Sequence, residues 1–291
     1  MKEGRPSHRE EAGGIPPAAR VLLGMVPFLA ILGLWTWAAG RTGSVVPGPG
    51  RVLQVLAHPF RPPPNLDSLS LAESALVSLL RVAAGFFLAL VTAVPMGILV
   101  GRSPFFRALL GPLVEAGRPI CPVAWLPLTI LIFGFSSAGT LLFGEGGWKH
   151  DLLDQLQLAM AAVIWWGAFF PIFVNTVHGV RSARRLYVET ALSMGASRAQ
   201  VLRIVVLPAA LPSITAGLRI GFGTAWMVIV AAEFFPGTKA GLGYLITTAH
   251  QLGQYEYAFA SIIVIAFIGI AANSFLLRLE ERVGRWRARE R

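Results

Sequence analysis

Four side chains able to carry charge or strong hydrogen bonds lie within long apolar stretches of this 291-residue chain: Arg81, Asn175, Arg219 and Glu233. An ionisable group inside hydrocarbon is costly, and by default it marks either a pair or a pathway. Arg219 and Glu233 are 14 residues apart, roughly 21 Å along a helix, so they cannot pair with each other. Two readings of them stand. Each lies near an opposite interface and reaches for the headgroups, or together with Asn175 they line a translocation path. Arg81 is close enough to one end of its apolar stretch to snorkel, and Asn175 can equally hydrogen-bond across helices. Other chemistry is missing from the sequence: there is no G-x-x-x-x-G-K-[ST] phosphate loop, H-E-x-x-H, G-x-S-x-G or C-x-x-C. The chain is therefore not expected to hydrolyse ATP unaided or to act as an enzyme. Five histidines without an i, i+4 pair and a single cysteine, Cys121, predict no metal site and no disulfide within the chain.

The elements that hold these groups are helices in a bilayer. Hydrophobic residues make up 55% of the chain and charged ones 14%, whereas a soluble protein carries about 25% charged residues. Six segments are long and apolar enough to span, at about 21–40, 75–100, 122–143, 156–177, 214–235 and 257–277. Runs apolar on every side exclude a β-barrel, which predicts an all-α membrane protein. The first 20 residues are polar and no small-residue cleavage site follows, so the first span is read as retained. The net charge of +10 falls between apolar stretches and predicts topology, with no nucleic-acid partner. Segments 1–20, 101–121, 179–213 and 278–291 together hold 18 Lys and Arg, against 5 in 41–74, 144–155 and 236–256. By the positive-inside rule both termini are expected in the cytoplasm. The predicted organisation is a tail over 1–20, a transmembrane region over 21–277 and a basic tail over 278–291.

Between the fourth and fifth spans, residues 181–208 predict a cytoplasmic helix, turn and helix. Leu186, Val188, Ala191, Leu192 and Met194 recur at helical spacing. Gly195 supplies the left-handed residue that ends a helix. Ser197 is placed to cap a second helix whose apolar face is Val201, Leu202 and Val205, and Pro208 and Pro212 limit where the following span starts. The small residues Ala191 and Gly195 leave room for a partner. Gly217-Leu-Arg-Ile-Gly221 is a G-x-x-x-G pattern that lets helices approach closely.

The spacing Glu189, Thr190, Ala191, then Gly195, Val205 and Leu207-Pro208 resembles the coupling signature of permease subunits of ATP-binding cassette importers. Thr190 and Val205 stand where that signature has Ala and Ile. Ser78 to Phe86, Pro122 to Pro127, Phe169 to Thr176 and Gly241-Leu-Gly243 are similar to the nitrate, sulfonate and taurine permeases, and the likeness covers most of residues 70–285. The stretch 135–168 is longer than in that family. The resemblance implies an inner-membrane permease subunit, a homodimer, that binds cytoplasmic ATPase subunits through Glu189, Thr190, Ala191, Gly195, Val205, Leu207 and Pro208. It also implies an extracytoplasmic binding protein and a small anion as solute, with ATP bound on the ATPase and no cofactor on this chain. The competing class is an ion-coupled secondary transporter, whose usual internal repeat is not found between 21–143 and 156–277. A membrane-embedded enzyme is disfavoured by the missing catalytic groups.

Overall fold

The computed structural model describes residues 17–41, 45–64, 68–134, 136–137, 139 and 156–284. Among them the chain is helical: α1 (Pro17–Arg41), α2 (Pro49–Ala57), α3 (Leu71–Arg102), α4 (Pro104–Gly117), a 3-10 turn (Pro122–Trp125) and α5 (Leu126–Phe133), then α6 (Leu158–Arg181), α7 (Arg185–Ser193), α8 (Arg198–Val201), α9 (Leu207–Ala232), α10 (Leu242–Gln251) and α11 (Tyr255–Gly284). Five helical stretches are long and apolar enough to cross a membrane, and the pair Pro104–Gly117 and Pro122–Phe133, bent by 91°, reaches that length and hydropathy only when its two helices are taken together, as a broken span or a re-entrant loop.

α6 is the centre of the bundle, clasped between α3 and α9. Lipid offers no hydrophobic reward for helix association, so close packing of small side chains must hold the contact. On α3, Gly85, Ala89, Ala93, Gly97 and Gly101 recur every four residues and form one ridge. A Cβ at Gly85 would sit 2.6 Å from Ile164 Cβ, and one at Gly97 2.7 Å from Thr176 Cβ. The opposite flank of α6 meets the G-x-x-x-G pattern of α9: a Cβ at Gly217 would lie 2.7 Å from Asn175 Cβ, and one at Gly221 2.9 Å from Ile172 Cγ1. α1 instead faces outward, with none of its apolar window buried. It touches the bundle through Trp35, whose indole N–H donates to Pro47 O (3.0 Å) and whose ring stacks on Phe259 of α11.

A buried polar cluster fastens the end of the bundle opposite α7. The Arg81 guanidinium pairs with Glu233 Oε1 at 2.9 Å and donates to Ala240 O at 2.7 Å. The Ser78 hydroxyl donates to Oε1 of the same carboxylate (2.8 Å) and accepts from Leu242 N–H (2.9 Å), while Gly243 N–H donates to Glu233 Oε2 (2.9 Å). Arg81 and Glu233 are 2% and 1% exposed. Both therefore depart from the sequence expectation of snorkelling: Arg81 lies three turns into a helix that starts earlier than predicted, and each charge neutralises the other. Gly241, at φ +113°, permits the tight approach, since a Cβ there would collide with the Glu233 carboxylate.

Two further departures concern boundaries. The expected continuous third span, 122–143, is replaced by α4, a 91° bend and α5, which stops at Gly134 (φ +61°). Pro119 and Pro122 remove two amide donors within four residues, so the helix cannot run through. The segment 101–121 is thus mostly helix instead of a loop, and most of the added length expected at 135–168 lies outside the described residues up to 155. α9 also begins ahead of Pro212, which sits inside it. The short helices α2 and α10 fall within segments read as loops.

Removing one partner of a buried ion pair leaves the other uncompensated, at a cost of about 3–5 kcal/mol. We expect Glu233→Ala to lower the thermal midpoint of the detergent-solubilised protein sharply. Replacing both Arg81 and Glu233 by methionine should recover most of that loss. A Glu233→Ala protein that melts with wild type would show that the pair does not hold α3 to α9.

Candidate functional site

The coupling-like segment folds as a compact element at one end of the bundle. α7 ends at Ser193 in a Schellman arrangement: Gly195 N–H donates to Leu192 O (2.9 Å) and Ala196 N–H to Ala191 O (3.0 Å). Gly195 takes φ +85° with open space around its Cβ position. Its requirement for glycine is therefore conformational and not steric. Ser197 caps α8 in a reciprocal box with Gln200: Gln200 N–H donates to Ser197 Oγ (3.3 Å) and Ser197 N–H to Gln200 Oε1 (2.7 Å). A π-helical turn, Leu202–Val206, then joins α8 to α9 without a break. The amide missing at Pro208 interrupts the regular ladder, and a widened turn just ahead of it absorbs the mismatch.

Val188 and Ala191 pack inward beside the buried Val180, Val201, Val206, Ala210 and Ile214. Val205, Leu207 and Pro208 are half-buried under them. The outer face carries Glu189, Thr190 and Gly195, exposed beside Leu186 (67%) and Met194 (82%). The Thr190 hydroxyl is turned back to Leu186 O (2.8 Å). This face is apolar at its rim with one carboxylate in its middle, an unusual surface for a helix with nothing above it. Arg102, at the end of α3, donates to Arg198 O (3.4 Å) and ties the element to a second helix.

Of the three residues expected along a path, Asn175 borders a cavity formed by described residues, about 330 Å³ between α4, α6 and α9, together with Arg118, Trp166, Phe170, Ile220 and Thr224. Its side-chain amide donates to Pro171 O (2.8 Å). Arg219 is held by Glu280 of α11, Nε to Oε2 at 2.8 Å, and is half-exposed. Glu233 has both carboxylate oxygens bonded inside the protein. Arg118 was missed, because the sequence places it in a loop. Its signal was an Arg-Pro step flanked by Pro112 and Pro122 in a largely apolar stretch.

Residues 93–286 match the family of binding-protein-dependent transport system inner membrane components. The chain belongs to this family. It is 37% identical to a putative ABC transporter permease protein of Methanocaldococcus jannaschii, over 90% of each chain. To the taurine transport system permease protein TauC of Escherichia coli it is 32% identical, over 93% of this chain and 92% of that one. Its fold resembles that of the MetNI methionine ABC transporter, seen in inward-facing conformations, with a TM-score of 0.57 over 73% of this chain and 95% of that one at 19% identity.

The permease is thus a multi-pass inner-membrane subunit of an ATP-binding cassette importer, of the nitrate, sulfonate and taurine type. Membership implies ATPase and substrate-binding-protein partners. It also sets aside the secondary transporter, although a broken span is a feature that class uses too. Locally, a residue with a Cβ in the Gly195 conformation costs about 1–2 kcal/mol. We expect Gly195→Val to open the turn and speed tryptic cleavage at Arg184, Arg185 and Arg198, with Gly195→Asn close to wild type. Identical digestion of all three would show that the turn tolerates any residue.

Proposed function

We propose that the permease works as a homodimer whose α7–α8 elements each dock on a cytoplasmic ATPase subunit, and that the solute passes between the two copies. The observation that carries this reading is the outer face of α7: an exposed carboxylate among exposed apolar side chains on a helix held rigid by its Schellman and capping bonds. Glu189 is the charged contact, Thr190 and Gly195 keep the outer surface low enough for close approach, and Ala191, which packs inward instead of facing a partner, seats the helix on the bundle. Val205, Leu207 and Pro208 couple the element to α9. ATP is bound and hydrolysed on the partner, and a binding protein delivers the solute from the other side of the membrane.

The basic bias supports an orientation with both termini and the α7 end in the cytoplasm. Arg118, at the break of the bent span, no longer counts as a loop charge, which leaves 17 basic residues against 5 and does not alter the sign. A small oxyanion is the solute class we favour: the likeness to a taurine permease supports it, and so does the predominance of arginine along the cavities beside α4. Asn175 borders that path, whereas Arg219 and Glu233 serve it indirectly by fixing α9.

Orientation is tested in a Cys121→Ser background, because Cys121 is exposed. We expect Met194→Cys to react with a membrane-impermeant maleimide only from the cytoplasmic side and Leu252→Cys only from the opposite side. The reverse pattern would invert the topology. For the partner, Glu189→Lys turns an attraction into a repulsion, and a charged hydrogen bond is worth roughly 1.5–3 kcal/mol. Co-purification of the ATPase from detergent should fall at least tenfold, about 1.4 kcal/mol, while Glu189→Gln falls less and both variants insert normally. Retention of the ATPase by Glu189→Lys, with ordinary uptake, removes the residue from the interface.

A further inference from the structure

The break between α4 and α5 lies at mid-depth in the bundle. A Cβ at Gly117 would be 2.9 Å from Phe170 Cζ, and the Cβ of Pro122 lies 3.6 Å from where a Cβ would be at Gly167. Phe170 stands roughly 17 Å from either end of α6, reckoned at 1.5 Å per residue. Residues 118–121 are therefore non-helical backbone in the middle of a membrane, which is tolerated only where it is buried in protein or lines a watery cavity. Arg118 is in that stretch, exposed, with no side-chain hydrogen bond or ion pair among the described residues. A guanidinium at such depth is too costly to face lipid.

The surroundings say what it faces. Arg118 lines both the cavity of about 330 Å³ that holds Trp166 and Asn175 and a second of about 610 Å³ that follows α4 and α6 to Arg181. The first contains no acidic residue, and the second sets Arg107, Arg118 and Arg181 against Glu115 alone. Trp166 lines the first cavity together with Arg118, so its indole ring reports on what enters that space. The planar guanidinium fork of Arg118, in space lined by arginines with a single carboxylate, fits the oxygens of a nitrate or sulfonate group.

We propose that Arg118 is the station in the middle of the membrane at which the permease holds its small oxyanion. The inference rests on the importer reading above and adds to it a residue and a charge preference. The bend presents Arg118 to the path and keeps it from lipid, and the arginines toward Arg181 make the onward route attractive to the same charge.

The full-length permease, purified with and without its ATPase, permits a test that does not require the natural solute. Iodide, an anionic quencher, and acrylamide, a neutral one, are titrated against tryptophan fluorescence in wild type, Arg118→Gln, Arg118→Lys and Trp166→Phe. We expect the Trp166-dependent part of iodide quenching to fall at least threefold in Arg118→Gln and to persist in Arg118→Lys, with acrylamide quenching equal in all. In proteoliposomes of the assembled transporter, taurine and nitrate uptake should fall at least tenfold in Arg118→Gln while the ATPase is retained. Equal iodide quenching in wild type and Arg118→Gln overturns the proposal. So does a parallel change in acrylamide quenching, or loss of the dimer in Arg118→Gln, since either would make Arg118 a packing or interface residue. Should the wild-type chain bind no ATPase at all, the importer reading fails, and the quenching comparison still decides the role of Arg118.

Discussion

The contact between Arg81 and Glu233 fixes more of this molecule than any other. It joins the start of α3 to the end of α9, and through Ser78, Ala240 and Gly243 it also seats the turn that begins α10. In a bundle whose helices otherwise meet through glycine and alanine ridges, packing alone leaves sliding along the helix axis weakly resisted. A buried charge pair with every main partner in hydrogen-bond range resists it strongly, because any shift strands a charge in a dry interior. The pair thus sets the register of α3 against α9, and the α3 and α9 ridges then grip α6 from both sides.

This contact also explains residues that the sequence offered only as a likeness. Ser78 and Arg81 come from one segment similar to the nitrate, sulfonate and taurine permeases, and Gly241-Leu-Gly243 from another about 160 residues away. Their types follow from the same small space. Serine is short enough to donate to a carboxylate and accept an amide at once. Glycine at 241 and 243 lets the chain pass directly over the Glu233 carboxylate, where a Cβ at 243 would lie 2.7 Å from Glu233 Cβ.

What was legible in the sequence was local. The turn at Gly195 and the cap at Ser197 depend on residues within a few positions of one another, and the structure has them as the spacing predicted, whereas of the apolar residues expected on one face of α7 only Val188 and Ala191 pack inward and Leu186, Leu192 and Met194 are exposed. The long apolar helices were legible for the same reason. The partner of Glu233 was not, since it is 152 residues distant and each intramembrane charge was weighed against the nearest water instead of the other charges. Arg118 was obscured by the rule that finds topology. A tally of basic residues between spans assigns them to loops, and here a helix, a bend and a second helix occupy what the tally treats as one. The prolines around it, at 112, 119 and 122, were the physical indication that a continuous span could not form there.

The geometry of α9 links the two ends of the molecule. From Arg198 to Ala232 the chain is 35 residues of nearly uninterrupted helix, roughly 50 Å of rod at 1.5 Å per residue. The α7 turn is bonded to its near end through the π-helical turn, and the Glu233 clamp holds its far end. A rod fixed at one end converts a push at the other into rotation about the fixed point, so the middle of α9 moves by a fraction of the displacement at Gly195. That middle is where Ile220 and Thr224 border the same cavity as Arg118. The Arg219–Glu280 pair, about a third exposed on either side, joins α9 to α11 near the same level. Under the coupling role proposed for α7, opening the cavity toward one end and closing it toward the other would require no bending of α9. Transmission under that proposal needs a firm clamp, a stiff helix and a driven end, and the Arg81–Glu233 pair supplies the clamp.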